Sequence, residues 1–193
     1  MLILVGFEDI IIDSLNTGGI KLSGKIKFIT RTAILLALTV AFQSLKLGQF
    51  FTGPLVNAVL FISACAVGWP AGVVIGAVTP WIALLVGILK PVLAPAVPFI
   101  MLGNAVLVVV FSFLKPFNSY VAVLASSISK FGVLYLATRF LLHLNPRISS
   151  ALQFPQLITA FVGGVLALIV ISALNSFGVA PKLGKISRKI QKL

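Results

Sequence analysis

Acidic side chains are nearly missing from this sequence. Glu8, Asp9 and Asp13 are the whole set, and no carboxylate side chain follows residue 13. Ion coupling through an intramembrane Asp or Glu is thereby ruled out, which leaves only unwound helices and their carbonyls for such a task. Glycosyl or phosphatidyl transfer through a carboxylate-held metal loses its ligands in the same way. Cys65 is the single cysteine, so no intrachain disulfide forms; lying in an apolar run, it reads as a small packing residue. One cysteine, one histidine at 143 and no downstream acid assemble no metal site. No glycine-rich loop ending in Lys-Ser or Lys-Thr is present to cradle ATP, and no cofactor is expected. Charge of either sign is scarce, at 9% of residues.

What fills the chain instead is apolar sequence. Hydrophobic residues make up 60% of the 193 positions, and the mean hydropathy is +1.18. Soluble globular domains do not reach these values, so the fold class expected is an all-α integral membrane protein. The net charge of +12 then reflects basic loops facing anionic lipid rather than a nucleic-acid surface.

Punctuation by proline, glycine and charge divides the chain into six expected transmembrane helices, at about 28–47, 53–68, 70–90, 98–114, 119–142 and 155–176. Residues 1–27 read as a cytoplasmic leader or a misassigned start, 28–176 as the membrane domain and 177–193 as a basic cytoplasmic tail. Lys21, Lys25, Lys27, Arg31, Lys115 and the basic residues of the tail fall on one side of this arrangement, against Lys46, Lys90 and Arg147 on the other. The positive-inside rule therefore predicts that both termini are cytoplasmic. The stretch KPVLAPAVP before the fourth helix predicts irregular or kinked backbone, which at membrane depth must lie against protein or a water-lined cavity.

The first helix carries a seam of small residues. Thr30, Ala33, Ala37, Ala41, Ser44 and Gly48 recur every three or four positions and so share one face. Such a face lets another helix approach closely, either inside the bundle or in a partner. Gly72 and Gly76 form a second close-packing face.

The same topology sorts the polar residues by depth. Gln43, Asn57, Trp81, Asn104, Lys130, Tyr135 and Arg139 all fall at or outside the midplane and are the candidate substrate-binding residues, with Gln49, Phe50 and Phe51 able to close over them. Lys130 carries the most information, because a lysine at mid-span costs about 2.5 to 3.5 kcal/mol on insertion. It is either the counter-charge for a carboxylate or phosphate on a ligand, or a lysine that deprotonates or snorkels beside Ser126 and Ser127. Asn57 and Asn104 read equally as ligand contacts or as hydrogen-bond glue between helices. Trp81 suits stacking on a flat ligand or a place at the interface, and Arg139 marks the outer interface. A lipid-acting enzyme with Lys130 or His143 as base lacks an acid or metal partner, so no enzyme activity is expected. A self-sufficient carrier or oligomeric channel remains as the alternative.

The stretch from Gly53 to Phe111, GPLVNAVLFISACAVGWPAGVVIGAVTPWIALLVGILKPVLAPAVPFIMLGNAVLVVVF, resembles the substrate-specific S components of energy-coupling factor (ECF) transporters. The Ala33, Ala37, Ala41 seam is similar to the AxxxA signature of their first helix. The resemblance implies a six-helix subunit that binds a vitamin or other micronutrient from outside. It further implies docking through that signature on a transmembrane T component, which two cytoplasmic ATPases drive, and toppling of the subunit in the membrane. No motif separates folate-like, riboflavin, pantothenate, pyridoxine-like and cobalamin ligands. The lack of acids favours an anionic substrate over a cation such as thiamine.

Overall fold

The computed structural model describes residues 24–142, 149–150 and 152–176, and all of the regular structure there is helical. The tail over 177–193, most of the leader, and His143 and Arg147 lie outside the described residues. Among the described residues, six long α-helices follow in order: α1 Gly24–Ser44, α2 Gln49–Ala66, α3 Trp69–Leu85, α4 Val97–Leu114, α5 Ser119–Leu136 and α6 Phe154–Ser176. A 3₁₀ segment, Pro91–Ala96, leads into α4, and a π turn, Ala137–Leu141, extends α5. Five of these units are long and apolar enough to cross a membrane; α3, with 17 residues, is shorter.

Several boundaries differ from the sequence reading, and backbone chemistry explains them. Helix α1 stops at Ser44 because Lys46 and Gly48 take positive φ values of 48° and 80°. Gly48 therefore lies in the turn and is no part of the helical seam. Because α2 starts at Gln49 rather than near 53, Pro54 sits inside the helix and not in its first turn. The third helix was expected to reach Lys90 but ends at Leu85. Gly87 turns the chain with φ of 78°, and Pro91 holds Lys90 extended at ψ of 141°. Beyond this turn the proline-dense stretch winds as a tight 3₁₀ segment. At the start of α5, Asn118 Oδ1 accepts from the backbone N–H groups of Tyr120 and Val121 at 2.9 and 3.1 Å.

Close packing depends on small residues. Helix α2 lies along α6, and α4 lies along α5 and α3, while α1 rests on α2 and α3 at the edge. At Gly163 an added Cβ would stand 2.6 Å from Pro54 O and 2.7 Å from Asn57 Cβ. At Gly76 it would meet Asn104 Cβ at 2.8 Å. Both contacts press a neighbouring helix against the level of an asparagine. Gly163→Ala is therefore expected to destabilise the protein by about 1–3 kcal/mol through overpacking. The check is the melting temperature in detergent, with Gly132→Ala as the uncrowded control that should not lower it, since nothing lies within 4 Å of that site.

Two apolar clusters occupy opposite ends of the bundle. One gathers Leu35, Phe61, Ile75, Leu107, Phe111, Val123 and Ala167. The other gathers Ala83, Leu89, Val97, Ile100, Leu134 and Leu152. Successive helices alternate in direction, and their polar residues fall between these clusters. Gln43 follows Leu35 on α1, Asn57 precedes Phe61 on α2, and Thr79 lies between Ile75 and Ala83 on α3. Asn104 lies between Ile100 and Leu107 on α4, Lys130 between Val123 and Leu134 on α5, and Gln156 between Leu152 and Ala160 on α6. A polar layer thus divides the core.

Candidate functional site

A cavity of about 70 Å³ opens in this layer, and every helix contributes to its lining. A water centre needs roughly 10–15 Å³, so the closed cavity holds a few waters, and any larger ligand requires the lining to part. Helix α1 delivers Gln43 because Thr32, Leu35, Thr39 and Gln43 repeat at helical spacing on its buried face. Helix α2 brings Thr52, Val56 and Asn57, α3 brings Thr79 and Ala83, and α4 brings Ile100 and Asn104. Lys130 enters from α5 and Gln156 from α6. Ile88 and Leu89, in the turn after α3, complete an aliphatic wall.

The hydrogen bonds fix which atoms remain free. Gln43 Nε2 donates to Thr79 O at 3.2 Å, and Asn104 Nδ2 donates to Gly76 O at 2.9 Å. Asn57 Nδ2 donates to Gly53 O at 2.9 Å, which leaves Oδ1 to accept from Lys130 Nζ at 2.8 Å. Carbonyl oxygens only accept and an ammonium only donates, so none of these amides can be flipped without losing its bond. Gln43 Oε1 and Thr52 Oγ1 are buried in the lining and have no partner. Ser127 Oγ is also buried without a partner, but it does not line the cavity.

Lys130 is 2% exposed, and no carboxylate occurs among the described residues. Its polar partner is Asn57 on another helix, rather than the serines beside it, since Ser126 Oγ donates to Val123 O within α5. Gly103 gives the lysine stem its path: a Cβ there would stand 3.3 Å from Lys130 Cγ. An ammonium held by one neutral amide keeps two N–H donors for something else.

Of the seven candidate residues, Gln43, Asn57, Asn104 and Lys130 meet at the cavity, while Trp81, Tyr135 and Arg139 do not line it. Trp81 is 49% exposed, and its indole N–H points to Met101 Sδ at 3.1 Å. Tyr135 is exposed and stacks on Phe131 with ring centroids 6.0 Å apart, and Arg139 is exposed in the π turn. Gln49 lines the cavity, whereas Phe50 and Phe51 are exposed. The sequence reading missed Thr52, Thr79 and Gln156. Thr79 hides its hydroxyl in a bond to Ile75 O within its own helix, as threonines in apolar helices do. Gln156, near the start of α6, stands at the depth of Thr52 in the neighbouring helix, and that alignment was its available signal.

Helix α1 shows the cavity one face and presents the other outward. Thr30, Ala33, Ala37, Ala41 and Ser44 are all exposed, so none of the described residues covers the seam. An apolar helical bundle with a polar cavity in its core and an exposed small-residue face describes a multi-pass plasma-membrane protein. The chain matches the family model for the ECF transporter, substrate-specific component, over residues 27–174, and it belongs to that family. No curated protein and no solved structure gives a match.

Proposed function

We propose that this substrate-specific component captures a small anionic micronutrient, a vitamin or a related compound, in the cavity around Lys130. It then docks through Ala33, Ala37 and Ala41 on a transmembrane T component for uptake driven by two ATPases. The observation that carries this reading is the two-sidedness of α1: Gln43 faces the cavity while the alanine seam faces out, uncovered. One rigid helix thus joins a binding site to a face suited to close helix packing. In this reading α3 is the sixth span, shorter than its neighbours. Lys25, Lys27, Arg31 and Lys115 lie toward the cluster around Phe61 and Phe111, which becomes the cytoplasmic half with both termini. The cavity then lies toward the outside, and Gln49 and the turn at Gly87 lie at its mouth. Asn57, Asn104 and Gln43 hold and orient the ligand, and Lys130 supplies the counter-charge; no bond is made or broken.

Reconstitution tests the division of labour. Liposomes holding the chain alone are expected to bind substrate without sustained uptake, and addition of the T component and ATPases with ATP is expected to start uptake. Uptake by the chain alone, without ATP, would establish a self-sufficient carrier instead.

A further inference from the structure

We infer that the cavity selects a small aliphatic monocarboxylate bearing its own hydroxyl or amide N–H donors, an inference that rests on the anionic-ligand reading above. Charge comes first. Among the described residues the lining holds one cation, Lys130, and no acid. After its bond to Asn57 Oδ1, Lys130 keeps two N–H donors, which match the two oxygens of one carboxylate. A phosphate brings three oxygens and nearly two charges, more than a single ammonium neutralises. Arg139, the other cation among the candidate residues, does not line the cavity, and neither does Lys90, the neighbour of Leu89 in its wall.

The unmatched atoms come next. Gln43 Nε2 is committed to the Thr79 carbonyl, so the atom left without a partner is Oε1, an acceptor. A carboxylate cannot satisfy it, whereas a ligand O–H or N–H can take the place of a water there. Thr52 Oγ1, also unpartnered and buried, adds a second polar contact of either sense. A bare fatty acid that displaced the water from the cavity would leave both atoms buried and unpaired, which is costly. The walls complete the selection. Val56, Ile88, Leu89 and Ile100 are aliphatic, and no Phe, Tyr or Trp lines the cavity among the described residues. A flat heteroaromatic ring finds no stacking partner there.

The test is calorimetric titration of the purified full-length chain in nanodiscs with pantothenate and biotin as aliphatic donor-bearing probes, and nicotinate, inorganic phosphate and thiamine as contrasts. Saturable binding of at least one aliphatic probe is expected, with nicotinate and phosphate at least about 100-fold weaker. Gln43→Leu and Thr52→Val are each expected to weaken that binding about tenfold. Ser127→Ala, which removes an unpartnered hydroxyl outside the cavity, leaves it unchanged. Melting temperatures of the variants separate lost binding from lost folding, and Thr52→Val preserves shape. Silence of both aliphatic probes overturns the inference. Binding of nicotinate or phosphate in their place leaves the anionic reading standing, while binding of thiamine alone removes both. Aliphatic binding that ignores both cavity substitutions places the ligand elsewhere and overturns the inference as well.

Discussion

A chain carrying Ala37→Trp is expected to stay folded and to bind its ligand, yet to drop out of the complex with the T component and the ATPases. Ala37 is exposed at the centre of the α1 seam, so a larger side chain there has room to point away from its own bundle. The cost to the isolated protein is therefore within about 0.5 kcal/mol, as for other surface substitutions. Across a small-residue interface the situation reverses. Helices that approach over alanines depend on short-range dispersion, and an indole wedged between them removes contacts along several turns. A loss of at least about 100-fold in association follows, equivalent to roughly 3 kcal/mol. Co-purification of the tagged chain with the three partner subunits reads this directly, and ATP-driven uptake falls with it. Leu124→Trp is the control, because Leu124 is also exposed but lies on α5, away from α1. If Ala37→Trp were retained in the complex as fully as Leu124→Trp, the seam would not be the docking face.

The seam shows how unevenly this fold was legible. Apolar length and charge scarcity announced the helices, and proline and glycine placed most of their ends to within a few residues. Where the ends moved, the cause was local dihedral preference: positive φ at Lys46, Gly48 and Gly87 closed turns that hydropathy alone runs through. Depth was readable, since alternating helices place Gln43, Asn57, Asn104 and Lys130 at one level whatever their rotation. Rotation was not. Trp81 and Tyr135 stand at plausible depths but turn outward, and which way a helix faces is decided by packing that hydropathy barely encodes when nearly every residue is apolar. The same blindness hid Thr52 and Thr79, whose hydroxyls attract no notice in membrane sequence. Exposure of the alanine face is a three-dimensional fact of this kind, since its spacing suits internal packing equally well.

Lys130 and Asn57 give the second large effect, and the two single substitutions should move stability and binding in different directions. Lys130→Met removes a mid-bundle ammonium and replaces it with an apolar chain of similar length, which relieves the insertion cost of about 2.5 to 3.5 kcal/mol against about 1–3 kcal/mol for leaving the buried Asn57 Oδ1 unpaired. The variant is expected to melt at or above the native temperature while its affinity for an anionic ligand falls at least about 100-fold. Asn57→Leu does the opposite to stability. It strips Lys130 of the 2.8 Å bond to Oδ1 and leaves a buried cation without its protein acceptor, at a cost of about 1–3 kcal/mol or more. Combining the two substitutions should restore much of the melting temperature lost in Asn57→Leu, because the stranded charge is then gone; a double-mutant cycle reads that coupling. Excess anionic ligand should also raise the melting temperature of Asn57→Leu, by supplying the acceptor that Asn57 no longer gives. A lysine that merely fills space would show neither the ligand rescue nor the coupling. If Lys130→Met bound an anionic ligand as tightly as the native chain, Lys130 would not be its counter-charge.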